Sequence, residues 1–217
     1  MQNLYEQMVN DPAIIEAYAL IAKKEKLSGP DNYASHDINH INRVICYCAK
    51  IATLLGLDSD NIAGIKIAAL LHDIGCESRS KAEHAKRSYE WAKNYLTTKK
   101  INTAKQEAIL TAIKEHSEGA NSIYGKILTF ADKIDICDKR ILPQGRLLAG
   151  NRQYAHIIFC DFNIKAEKLT VQFQTDGKID LDEMNEYYFT KKVYRSIKDL
   201  AAIFGLNHEI LIDGMSQ

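Results

Sequence analysis

Little in this chain points to an extreme environment or a polyanionic partner. Lys+Arg 28 balances Asp+Glu 28, for a formal charge of +0. With no surplus of either sign, bulk attraction to nucleic acid or to an anionic membrane is not expected. No apolar run is long enough to span a bilayer. The start, Met1-Gln2-Asn3-Leu4-Tyr5-Glu6, lacks the basic and apolar regions of a secretory signal, so a cytoplasmic protein is expected. The five cysteines, Cys46, Cys48, Cys76, Cys137 and Cys160, form no CxxC pair. An odd, scattered set is neither a disulfide framework nor a zinc ribbon. Cys46 and Cys48 read as small core or near-core residues. Internal repeats and low-complexity segments are absent too. What remains is 217 residues, 46% hydrophobic and 26% charged. That is enough for one sizeable core, or for a core with an appendage.

The most informative stretch is Ala68-Ala69-Leu70-Leu71-His72-Asp73-Ile74-Gly75. An apolar helical run ends in two side chains that bind metals, followed by a residue that permits a sharp turn. A carboxylate beside a hydrophobic run is costly to desolvate unless it is paired or bound to a cation. An aspartate near a helix C-terminus also opposes the helix dipole.

The flanking chain reads as a series of helices. Asp11 caps the first, which runs to Lys26, with Pro12 in its first turn and Ile14, Ile15, Tyr18, Ile21 and Ala22 at helical period. Leu27 to Asn32 is a loop by composition. Helices follow over Asp37–Leu55, Asp58–Asp73, Lys81–Leu96, Thr103–His116 and Ser122–Arg140. Glu77 to Ser80 is a polar connection before the fourth of these six. Beyond them the composition changes. Tyr154–Ile164 and Lys168–Gln174 predict two antiparallel strands turned near Lys165-Ala166-Glu167. A last helix is expected from Leu181 to Phe204. The expected architecture is mainly α: a helical domain over 1–145, with a small C-terminal α+β extension over 146–217, a β-hairpin plus helix packed on it.

Potential metal ligands fall at the ends or inner faces of successive helices. His40 opens one, His72 and Asp73 end the next, His84 opens the fourth, His116 ends the fifth and Asp132 lies within the sixth. Antiparallel helices with short loops bring such positions together. Imidazole with carboxylate suits divalent manganese, iron, cobalt, nickel or zinc.

In this order, His40…His72-Asp73…Asp132, the chain resembles the HD-domain superfamily of metal-dependent phosphohydrolases, over about Ser35 to Arg140. The contexts Ser35-His36-Asp37-Ile38-Asn39-His40-Ile41-Asn42-Arg43-Val44, Ala69–Gly75 and Ala131-Asp132-Lys133-Ile134-Asp135 match as well. His84 and His116 resemble the extra histidines of the subset with two metals. The resemblance then implies one or two divalent ions per chain, with Asp73 bridging, His40, His72 and Asp132 completing one site, and His84 and His116 serving the other. Its activity would be hydrolysis of a small phosphorylated substrate, plausibly a nucleotide. Such chemistry needs a nucleophile at neutral pH and neutralisation of phosphoryl charge, and a metal supplies both. Arg43, Lys133 and Arg140 are candidates to complete the charge clamp. Asp73 or Asp135 could orient the water or a ligand histidine.

Blander readings apply elsewhere. His36 reads as structural or as supporting a ligand. His156 and His208 read as structural. Cys76 lies near the site, where thiol reactivity is conceivable. Thr175-Asp176-Gly177-Lys178 has the wrong ligand spacing for a calcium loop and fits a turn. Only Glu77 is acidic just after the His-Asp pair, which argues against guanosine tetraphosphate as substrate. Rival functions are a di-iron oxygenase of the same superfamily and a regulatory module that binds metal or nucleotide without turnover. The C-terminal extension is a candidate pocket cover or homodimer surface.

Overall fold

The structure, a computed structural model, describes residues 1–26, 33–76, 83–117, 119–187 and 189–217. The expected loop at 27–32, the connection at 77–80 and the expected helix start at 81 lie outside them. The chain forms two compact units: Met1–Ser28 with His36–Ala131, and Gly29–Ser35 with Asp132–Gln217. The division between them falls inside a helix, between Ala131 and Asp132.

The helices are α1 (Gln2–Val9), α2 (Pro12–Glu25), α3 (Ile38–Leu54), α4 (Ser59–Leu71), α5 (His84–Thr98), α6 (Gln106–Glu115) and α7 (Ile123–Ile134). All but α1 follow the apolar pattern of the sequence. α1 buries only Met8, too little to give a readable stripe. In the first unit α4 is the central element, touching α1, α3 and α6. Ala63, Ile65, Ile67, Ala68, Ala69, Leu70 and Leu71 are all buried, so the helix is apolar nearly all round, as a core helix must be. Burying each large aliphatic side chain contributes about 1.5–3 kcal/mol before entropy is counted.

Aspartates start three of these helices. Asp11, Asp37 and Asp58 accept hydrogen bonds from backbone N–H groups of the first turns of α2, α3 and α4. Asp37 Oδ1 takes those of Asn39 and His40 at 3.0 and 3.1 Å, which fixes where His40 enters its helix. Asp11 also accepts from Tyr95 Oη at 3.0 Å, tying α2 to α5. On α3, Ile45 and Cys48 are buried but Cys46 is exposed. Cys46 lies about 100° further round the helix than Ile45, so the expectation of a core position holds for Cys48 alone.

In the second unit, β1 (Ile157–Lys165) and β2 (Lys168–Thr175) form the expected antiparallel hairpin. Ala166 and Glu167 both take positive φ, 48° and 57°, as a two-residue turn matching strand twist requires. The extension holds more sheet than expected. β3 (Asn207–Ile212) pairs parallel to β2, β4 (Met215–Ser216) pairs antiparallel to β3, and the sheet order is β1-β2-β3-β4. The single long helix expected over 181–204 is also broken. α8 (Leu181–Glu186) stops where Tyr187 leaves helical geometry at φ −103°, ψ −106°. A wider π turn, Phe189–Tyr194, then leads into α9 (Arg195–Ile203). At the break Tyr187 lies against Gly150, where a Cβ would stand 2.6 Å from Tyr187 Cβ.

Among the described residues, no helix is long and apolar enough to cross a membrane.

Candidate metal centre

The end of α4 carries the centre. His72 caps the helix and Asp73 follows in the turn, with side chains 0% and 2% exposed. Gly75 lets the turn press against α5: a Cβ there would lie 2.4 Å from the Ser88 backbone nitrogen. The contact is locked in both directions. Gly75 N–H donates to Ser88 Oγ at 2.9 Å, and Arg87 Nε–H donates to the Gly75 carbonyl at 3.0 Å. In this way the turn after Asp73 holds the first two turns of α5, at whose start His84 stands.

Four imidazoles face the two oxygens of the Asp73 carboxylate. Oδ2 lies 3.5 Å from His40 Nε2 and 3.2 Å from His72 Nε2. Oδ1 lies 3.6 Å from His84 Nε2 and 3.4 Å from His116 Nε2. His40, His72 and His116 are fully buried, whereas His84 is 22% exposed and reaches solvent. The rings meet edge to face, with centroids 5.5 Å apart for His40 and His72, 5.0 Å for His72 and His116, and 4.9 Å for His84 and His116.

Two of these rings owe their tautomer to a helix end. His72 Nδ1 lies 2.8 Å from the Ala69 carbonyl, and His116 Nδ1 lies 2.7 Å from the Ile113 carbonyl. A carbonyl can only accept, so each Nδ1 carries the proton, and in the neutral ring Nε2 presents a lone pair. The carbonyls are among those that a helix leaves unsatisfied in its last turn. Lone pairs aimed at a carboxylate at such distances repel unless a cation lies among them. Full protonation is no remedy, since four imidazolium ions would crowd one negative charge. His84 Nε2 and His116 Nε2 are themselves only 3.0 Å apart. Asp73 Oδ1 is buried and makes no hydrogen bond among the described residues. This donor set fits a divalent cation. Asp73, His84 and His116 offer ligand atoms within 4.8 Å of one another, as do His40, His72 and Asp73.

Burial by itself would raise the Asp73 carboxyl. The surrounding imidazoles of His72, His36, His116 and His40 outweigh it and hold the group well below the usual carboxylate range. Nearby, Tyr18 Oη donates to the Leu70 carbonyl at 2.6 Å. Burial, then the negative charges of Asp73 and Cys76, push that hydroxyl well above its usual range.

The other expected residues are placed as follows. Arg43 is half-buried on α3, one turn after His40. Asp132, in the last turn of α7, belongs to the second unit. There Lys133 Nζ donates to its Oδ2 at 2.6 Å and Arg140 Nη2 to its Oδ1 at 3.1 Å. Arg140 is buried, and its guanidinium also donates to the carbonyls of Asp132, Asp135 and Ser35 at 3.0, 2.9 and 3.3 Å. A guanidinium so bonded braces the end of α7. Asp135 is buried in the same turn. Glu25, which carries no signal in the sequence beyond ending α2, is buried and bonds to His36. Only the fold brings that pair together.

A helical unit that aims histidines and an aspartate at one buried point defines a candidate metal-binding protein. Residues 37–136 match the model of the HD domain family, and the chain belongs to that family. No curated protein matches it. Among solved structures it is similar to a predicted HD superfamily hydrolase from an uncultured Thermotogales bacterium. The two are 30% identical with a TM-score of 0.44, and the match covers 62% of this chain and 74% of that one.

Proposed function

We infer that the chain is a metal-dependent phosphohydrolase acting on a small phosphorylated metabolite, with nucleotides as the first class to test. The observation that carries this reading is Asp73, whose two oxygens each face a separate pair of imidazoles. That is the arrangement expected of a carboxylate bridging two ions. In this reading His40, His72, Asp73 and Asp132 hold one ion, and Asp73, His84 and His116 hold the other. Asp132 is assigned by its place in the family pattern. Divalent ions bound there would supply Lewis acidity toward phosphoryl oxygens and a lowered pKa for water.

The residues of the chain do the rest. The Ala69 and Ile113 carbonyls keep His72 and His116 in the tautomer whose Nε2 carries the lone pair for ligation. Burial of His40, His72 and His116 keeps bulk water from three sides, and the exposed edge of His84 marks the approach for substrate. Arg43 and Lys133 offset phosphoryl charge, while Arg140 positions Asp132.

The test is phosphate release from a panel of nucleotides and sugar phosphates by metal-loaded protein, beside Asp73→Ala. Release from at least one compound, lost with Asp73→Ala by more than about 100-fold, is expected, because losing a ligand costs more than losing a supporting partner. Release that survives Asp73→Ala overturns the reading. So does a redox-active di-iron protein that consumes oxygen and frees no phosphate.

A further inference from the structure

Asp73 also belongs to a second set of potential ligand atoms, one that includes a thiol. His36, Asp73 and Cys76 offer ligand atoms within 4.8 Å of one another. Each is held by its own local structure. The Cys76 backbone N–H donates to the Asp73 carbonyl at 2.9 Å, closing the turn that brings the thiol back toward the carboxylate. Cys76 itself is half-buried. His36 is anchored by Glu25, whose Oε1 lies 2.9 Å from Nδ1 and accepts the His36 backbone N–H at 2.7 Å. Glu25 is only 6% exposed. A buried carboxylate on one ring nitrogen fixes the proton there and leaves the other nitrogen as a lone-pair donor. This carboxylate–histidine pairing typically stands behind metal-ligating imidazoles. The ring of His36 also meets that of His40 edge-on, with centroids 6.0 Å apart, which sets its plane.

We propose that Glu25-supported His36, Cys76 and Asp73 form an additional site for a thiophilic divalent cation such as zinc, next to the histidine-rich centre. A nitrogen, a thiolate and a carboxylate oxygen are three of the donors zinc prefers, and a fourth position stays open to water. A thiolate sets this position apart chemically, since the rest of the centre offers only nitrogen and oxygen. Binding releases the thiol proton to solvent. The site stands whether or not the protein hydrolyses phosphoesters.

Cobalt substitution tests it on the full-length protein. Thiolate bound to Co(II) gives a charge-transfer absorption in the near ultraviolet, which nitrogen and oxygen ligands do not. Titration of metal-free protein with cobalt alone should produce that band in the wild type and none in Cys76→Ser, an isosteric change whose folding is checked by circular dichroism. Cys46→Ser should leave the band unchanged. Glu25→Gln should shift its midpoint to about 10–100-fold higher cobalt, the usual cost of losing a ligand's supporting partner. A wild type with cobalt ligand-field bands but no thiolate band overturns the proposal while leaving the phosphohydrolase reading intact. A band that persists in Cys76→Ser overturns it as well.

Discussion

Asp73 and Asp132 are both buried carboxylates at helix ends, and the two units of the protein treat them differently. Around Asp73 the first unit places four imidazoles, whose neutral rings offer lone pairs rather than charge, and no lysine or arginine is paired with it among the described residues. Around Asp132 the second unit places the ammonium of Lys133 and the guanidinium of Arg140, the latter permanently cationic. The second arrangement is electrically complete. The first becomes complete only when a cation arrives. Asp132 thus has counter-charge from the chain before any ion binds, whereas Asp73 has its counter-charge still to gain.

The largest effect should come from breaking the complete pair. Arg140→Met strips Asp132 of its buried partner and takes the guanidinium away from the carbonyls of Asp132, Asp135 and Ser35. It is expected to destabilise the protein by about 3 kcal/mol, read from urea midpoints, and to do so with or without metal. Loading the incomplete site should come next. Divalent metal at about 100 times its Kd should stabilise the wild type by about 2.7 kcal/mol relative to chelated protein, measured by thermal unfolding. Asp73→Ala should abolish that gain. If metal instead rescued Arg140→Met but not the wild type, the contrast between the two carboxylates would be reversed.

The smallest effect carries the comparison to a carboxylate near solvent. Glu183 receives hydrogen bonds from Arg152 and from the Gly150 N–H, and they lower its carboxyl from 4.5 to about 2. A group depressed in the folded state stabilises it fully above the unfolded value, and that contribution fades as pH falls toward the folded one. Wild type and Glu183→Gln should therefore differ by a constant margin from neutrality down to about pH 4.5. The margin should shrink between there and about pH 2, as followed by urea midpoints across that range.

Much of the first unit is readable from the chain because local and global signals agree there. α3 and α4 carry aspartate caps and ligands at their ends, α3 with a helical apolar period and α4 with a nearly continuous apolar run, so His40, His72 and Asp73 stand out without coordinates. Elements that depend on distant partners are harder to read. β3 is short, and only Ile210 and Ile212 with Asp213-Gly214 after them hint at an alternating strand and a turn. The break near Tyr187 falls where that residue packs on Gly150, 37 residues earlier in the chain, a contact that no local propensity registers. Arg140 bonds to three backbone oxygens and the Asp132 carboxylate, partners that a sequence does not place. Glu25 is invisible for the same reason, since its meaning comes wholly from His36.

The hydrogen bonds from His72 to Ala69 and from His116 to Ile113 have a dynamic corollary. Fraying of the final turn of α4 or α6 would release the Nδ1 proton from its carbonyl and let the ring turn its other nitrogen inward. Ion retention and end-melting of those helices are then one coupled equilibrium, and amide exchange in the last turns should slow when the ions are seated.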